Sequence, residues 1–387
     1  MRLSPQRILL LALAGLFLAA ATAPSAAAAP TSETDARLKQ ILERFPKADL
    51  DGDGVLTADE ARQARQRLVE RRGGESAEPQ APGQSDPRGP KPTAENVKYG
   101  PHERNVLDFW KAETDAPAPL VVFIHGGGFV GGDKSKVRGN KVLTGCLEAG
   151  ISFASINYRF REHAPIQDIV RDCARAIQFL RTKAKEWNID PTRVASYGGS
   201  AGAGTSLWLA FHDDLADPDA ADPVLRQSSR LTCAGCLNGQ ASYDLREWET
   251  IVGPPPDGAR KEAEILDFYH FKDKAASETP EAERIMKDMS MLSLISAGDS
   301  PVFLFCAGPN TDPKDRGHYV HHPRHAIAIR DRCLAMKVGV ECVLRDDLAK
   351  GDGDQDARLL AFFIKHLKPK PAEVKADAAQ VTTPGDE

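Results

Sequence analysis

The sequence predicts an α/β fold in which helices cover both faces of a mostly parallel sheet, with a small helical unit ahead of it. Three observations predict it. Short apolar runs such as 120–124 and 302–307 alternate with helical patterns, as in strand–helix–strand units. The runs are too continuously apolar for a sheet with one wet face. An acidic twelve-residue loop, 49–60, stands apart from them, between two helical stretches near the start.

Taken in order, Arg2 and Arg7 precede the apolar run 8–21 and the small residues 26–29. That order reads as a secretory signal peptide over 1–29 and implies an exported chain, periplasmic or extracellular. The apolar part is shorter than the ~20 residues that span a bilayer, and no later stretch is apolar for long enough.

Residues 32–72 read as one compact unit. Leu38, Ile41, Leu42 and Phe45 share one helical face, Pro46 ends the helix, and 61–72 has a second helical pattern. Between them the loop Asp49-Leu50-Asp51-Gly52-Asp53-Gly54-Val55-Leu56-Thr57-Ala58-Asp59-Glu60 places carboxylates at positions 1, 3 and 5, glycine at 6 and glutamate at 12. A hard cation needs oxygen all round it. Asp49, Asp51, Asp53, the Val55 carbonyl, Thr57 and Glu60 supply it in the EF-hand pattern, so calcium is the expected cofactor. The segment resembles the single EF-hand appendages of exported bacterial proteins. Such hands work in pairs joined at position 8, here Leu56, and no second hand follows, so a partner hand or another surface has to complete it.

Residues 73–95 read as a disordered linker, 96–368 as the main domain, and 369–387 as a disordered tail. The main domain has strand candidates at 97–99, 106–110, 120–124, 151–157, 193–197, 231–237, 302–307 and 339–344. Helical patterns lie at 164–185, 201–211 and 355–367, and 243–295 interrupts the alternation as a candidate cap. The chain of 387 residues is 41% hydrophobic and 27% charged, enough for a sizeable core. A net charge of −5 with no basic stripe excludes an electrostatic case for nucleic-acid binding. Seven cysteines leave at least one unpaired. Those in apolar runs read as buried thiols, and the Cys233–Cys236 pair as core packing in place of a metal site.

Two glycine-rich strand ends carry the chemistry. Gly198-Gly199-Ser200-Ala201-Gly202 has the spacing of a nucleophile elbow, which holds a serine at the head of a helix. His125-Gly126-Gly127-Gly128-Phe129 follows an apolar strand about 75 residues earlier. Consecutive glycines let main-chain N–H groups turn inward, as stabilisation of an oxyanion requires.

With these motifs, Ile156-Asn157-Tyr158-Arg159, Asp172, Ala176, Phe179-Leu180 and Ile189-Asp190-Pro191 resemble those of the α/β-hydrolase carboxylesterases related to hormone-sensitive lipase and to bacterial feruloyl and acetyl-xylan esterases. The resemblance is dense over 97–212. It implies Ser200 as nucleophile, the N–H groups of Gly127, Gly128 and Ala201 as oxyanion hole, His125 as structural, and a small-molecule or polysaccharide ester as substrate.

In that family the histidine lies after the last strand, but 346–354 contains none and His366 comes too late. The nearest imidazoles are His318, His321, His322 and His325, in the segment after the preceding strand. Among these histidines His322 is the expected base; Asp312 and Asp315 lie in the same segment, and Asp312 is the better-placed acid. Two alternatives stay open: a hydrolase-fold binding or scaffold protein without a base, and a protein whose calcium hand docks it to a partner.

Overall fold

The computed structural model describes residues 31–44, 46–61, 63–64, 89–256, 262–348 and 354–368. The signal peptide, Phe45, most of the second early helix, most of the linker, residues 349–353 of the loop before the closing helix, and the tail lie outside the described residues. The chain divides into two units, Met1–Gln84 and Ser85–Glu387.

In the first unit the helix Ala36–Arg44 leads through a 3-10 turn at Pro46–Ala48 into the acidic loop, and helical backbone resumes at 58. Leu38, Ile41, Ala48, Leu56, Ala61 and Ala64 bury against one another. Thr57 and Glu60 cap the second helix reciprocally: the Glu60 N–H donates to Thr57 Oγ1 (3.1 Å) and the Thr57 N–H to Glu60 Oε2 (2.9 Å). Ahead of the helix, Thr31 pairs with Thr57 in an isolated antiparallel bridge. The Ser32 N–H donates to the Leu56 carbonyl (2.8 Å) and the Leu56 N–H to Ser32 Oγ (2.9 Å).

The second unit is built on an eight-stranded sheet in the order β1-β2-β4-β3-β5-β6-β7-β8. Its strands are β1 Ala94–Lys98, β2 Val106–Trp110, β3 Ala118–Ile124, β4 Ser152–Ile156, β5 Ile189–Gly199, β6 Cys233–Leu237, β7 Val302–Cys306 and β8 Val340–Leu344. The pairings β1–β2 and β2–β4 are antiparallel and all others parallel. Each strand falls within a few residues of its expected position. β1 begins at Ala94, inside the stretch read as linker, because the Thr93 N–H already bonds the Phe109 carbonyl (2.7 Å).

Helices Lys141–Glu148 and Gln355–Leu367 cover one face through Val142, Leu143, Cys146, Leu359, Phe362 and Phe363. Ile166–Thr182, Ala201–Phe211 and Pro323–Ala335 cover the other. The interruption at 243–295 is a run of short helices, Trp248–Val252, Glu262–Tyr269, Lys274–Ser277, Pro280–Asp288 and Met291–Leu294. It packs Tyr243, Trp248, Phe268 and Met286 into the core beside Phe129. All seven cysteines are free thiols, six of them buried. Among the described residues no helix is long and apolar enough to cross a membrane.

Candidate active site

The two glycine bends meet because their strands are neighbours. β3 and β5 pair in parallel with Ile124 opposite Gly198, so the chain leaves both strands at one edge of the sheet. The fit admits no side chain. A Cβ on Gly126 would lie 2.4 Å from the Gly199 carbonyl oxygen, and one on Gly202 only 2.0 Å from that of Ile124. Between them Ser200 has φ 54° and ψ −119°, a strained conformation that a non-glycine residue keeps only where its surroundings over-determine it. Those surroundings are its own N–H, bonded to the Leu237 carbonyl (3.0 Å), and its carbonyl, which accepts from Ala203 (2.9 Å) and Gly204 (3.1 Å). Ala201 opens the following helix, so its N–H has no partner within that helix.

The glycine loop is tied down from below. The Tyr158 hydroxyl donates to the His125 carbonyl (2.5 Å) and its ring stacks on the His125 imidazole. Asn157 accepts the Lys134 N–H (2.6 Å) and donates to Asp133 (2.8 Å). Lys134 reaches the buried Asp108 carboxylate (2.6 Å). Burial pushes the His125 imidazole down to about 4, and Nδ1 lies beside the Gly126 carbonyl (3.0 Å). His125 is therefore a neutral packing element under the loop.

Of the four clustered histidines, the structure brings His321 to the serine. Its Nε2 lies 2.8 Å from Ser200 Oγ and its Nδ1 3.1 Å from the Gly317 carbonyl oxygen. A carbonyl can only accept, so Nδ1 carries the proton and Nε2 is bare toward the hydroxyl. Burial lowers the His321 pKa from its ordinary value, opposed by the bond to Gly317.

His322, the base expected from the sequence, is not brought to Ser200. It is the N-cap of the helix Pro323–Ala335 and fully buried, with Nδ1 accepting the Arg324 N–H (3.2 Å) and Nε2 bonded to the Thr311 carbonyl (2.7 Å). Both ring nitrogens are spent. Asp312, the expected acid, is 96% exposed and faces Arg324 at 3.5 Å. His318 bonds the Pro309 carbonyl (2.9 Å), His325 is buried under Ala241, and His366 stacks on Phe362 in the closing helix. The sequence held a signal for this sorting: Pro323 is a helix-opening residue, which makes the preceding His322 a cap.

In the first unit, oxygens of Asp49, Asp51 and Asp53 lie within 4.8 Å of one another. Asp49 accepts the Gly52 and Gly54 N–H groups (2.7 and 2.9 Å), and Glu60 reaches back to the Leu50 N–H (3.1 Å). The Asp51 carboxyl accepts the Asp53 N–H, which lowers its pKa. Desolvation and the charges of Asp53 and Glu60 outweigh this and leave it raised.

The profile of one family, BD-FAE, matches residues 107–312, more than half of the chain and both glycine bends. The chain belongs to the BD-FAE family. This BD-FAE member is 29% identical over 151 residues to a probable isoprenylcysteine alpha-carbonyl methylesterase of Arabidopsis thaliana, covering 39% of this chain and 31% of that one. It is 30% identical over 220 residues to Esterase LipC of Mycobacterium tuberculosis, covering 55% and 49%. The chain thus spans from about a third to a half of the length of these curated relatives. Among solved structures, a truncated carbohydrate esterase from gut microbiota superposes with TM-score 0.55 at 18% identity, covering 71% of this chain and 96% of that one. Esterase 2 of Thermogutta terrifontis gives 0.51 at 21%, covering 73% and 95%. At these identities the likeness is one of fold, the α/β-hydrolase fold.

Proposed function

We propose that this chain is an exported serine carboxylesterase that hydrolyses esters through an acyl-enzyme on Ser200. The observation that carries the reading is the 2.8 Å contact between Ser200 Oγ and His321 Nε2. An alcohol is a weak nucleophile until a base accepts its proton during attack, and His321 is the imidazole in place to do so. It is the base whose apparent lack motivates the scaffold alternative.

In the proposed cycle Ser200 Oγ attacks the ester carbonyl carbon as its proton passes to His321 Nε2. The oxyanion is held by the N–H groups of Gly127, Gly128 and Ala201. The C–O bond to the alcohol then breaks, His321 returns the proton to the leaving oxygen, and the acyl group stays on Ser200. Water attacks next with His321 again as base, which releases the acid and restores the hydroxyl. By the resemblance of its motifs, the substrate class is carboxylic esters such as acetyl or feruloyl groups on polysaccharide.

For the first unit the proposal is a calcium hand held by Asp49, Asp51, Asp53, the Val55 carbonyl, Thr57 and Glu60. Three carboxylates whose oxygens lie within 4.8 Å of one another suit a divalent cation, which when bound offsets their mutual repulsion.

Purified protein should turn over p-nitrophenyl acetate, and Ser200→Ala should lower kcat by roughly 10³-fold or more. Equal silence of wild type and variant rejects the esterase reading. Calorimetric titration with calcium should show one site that Glu60→Gln removes, and no heat in the wild type rejects the hand.

A further inference from the structure

In a serine triad a buried carboxylate ordinarily holds the imidazole Nδ1–H, fixes its tautomer and offsets the charge it gains. Behind His321 lies something else. The Gly317 carbonyl oxygen receives the ring Nδ1 (3.1 Å) and also the main-chain N–H of His321 itself (3.1 Å). A carbonyl has two lone pairs, so one oxygen clamps the residue at two points.

That carbonyl is set by the short helix Arg316–Val320, of which Asp315 is the N-cap: its carboxylate accepts the His318 N–H (2.8 Å) and its carbonyl the Tyr319 N–H (3.0 Å). His321 caps the other end. Two described carboxylates of the loops after β7 and β8 are engaged elsewhere, Asp312 facing Arg324 (3.5 Å) and Asp346 accepting the Asn310 N–H (3.2 Å). Among the described residues no carboxylate is hydrogen-bonded to either ring nitrogen of His321. The Cys306 thiol donates to the His321 main-chain carbonyl (3.3 Å).

We propose that the Gly317 main-chain carbonyl takes the place of the triad's acid, with Asp315 as a positioning residue that acts by capping the turn and not by its charge. This rests on the reading of Ser200 as nucleophile and His321 as its base. A carbonyl dipole selects the tautomer as a carboxylate does. It carries no net charge to offset an imidazolium, so the catalytic unit is a serine–histidine pair with a neutral third member.

The test uses the full exported chain with p-nitrophenyl acetate, following kcat, KM, their pH profiles and labelling of Ser200 by a fluorophosphonate. Asp312→Asn and Asp346→Asn should stay within about threefold of wild type with unmoved pH profiles, where loss of a true triad carboxylate costs about 10⁴-fold. Asp315→Ala should lower kcat about tenfold with KM unchanged, and Asp315→Asn, which caps equally well without charge, should regain most of it. Should any one of the three asparagine variants fall a hundredfold or more while still folded, a carboxylate is the third member and the proposal fails, although the esterase reading stands. A wild type that neither labels nor turns over ester overturns both.

Discussion

The two sides of the candidate site are built on different principles. The nucleophile side, after β3 and β5, is fixed by backbone contact: Gly126 and Gly202 sit where any Cβ would strike a carbonyl oxygen. The base side, after β7, is fixed by side-chain direction. His321 and His322 are adjacent in sequence, yet one ends a helix and faces Ser200 while the other begins the next helix and turns to Thr311. The first kind of constraint permits one residue type and is visible as a motif. The second permits many, and one step along the chain reverses its meaning.

Exchanging the two histidines is the strongest way to break this comparison. His321→Ala should reduce kcat by roughly 10³-fold or more, measured with p-nitrophenyl acetate. His322→Ala should keep kcat within about tenfold while lowering stability by about 1–3 kcal/mol, since it leaves the Arg324 N–H without its cap. The reverse ranking would move the base to His322.

The glycine side can be sharpened by a graded pair. Gly202→Ala places a methyl 2.0 Å from the Ile124 oxygen and should cost about 3 kcal/mol or more. Gly128→Ala has only its φ of +62° to overcome, in open space, and should cost about 1–2 kcal/mol. Thermal denaturation of both separates close approach from backbone strain, and equal losses would deny the distinction.

The smallest effect is one of pH. Attack requires neutral His321, and burial lowers its pKa. Activity should therefore rise with pH through a midpoint below the ordinary histidine value of ~6.5, read as the acid limb of kcat/KM. A midpoint above that value would indicate a carboxylate partner.

What was legible in the sequence follows the same division. The strands could be placed from continuous apolar runs, and the two glycine bends that meet at Ser200 from motifs that backbone geometry imposes. The helix Pro323–Ala335 escaped notice because arginines, a histidine and an aspartate interrupt its apolar positions. With it went the recognition that His322 is a cap. Asp312 looked well placed by its position after β7, but sequence distance says nothing of exposure, and the residue stands in solvent. The Gly317 carbonyl had no signal at all, since every residue has one.

The bridge at the other end of the chain bears on association. Leu56 offers its N–H and carbonyl at position 8 of the acidic loop, and Ser32 has taken both. A strand from another molecule can add there only by evicting that serine, so its affinity is reduced by whatever the internal closure is worth. Trimming the chain past residue 32 would bare an edge that the intact protein keeps occupied.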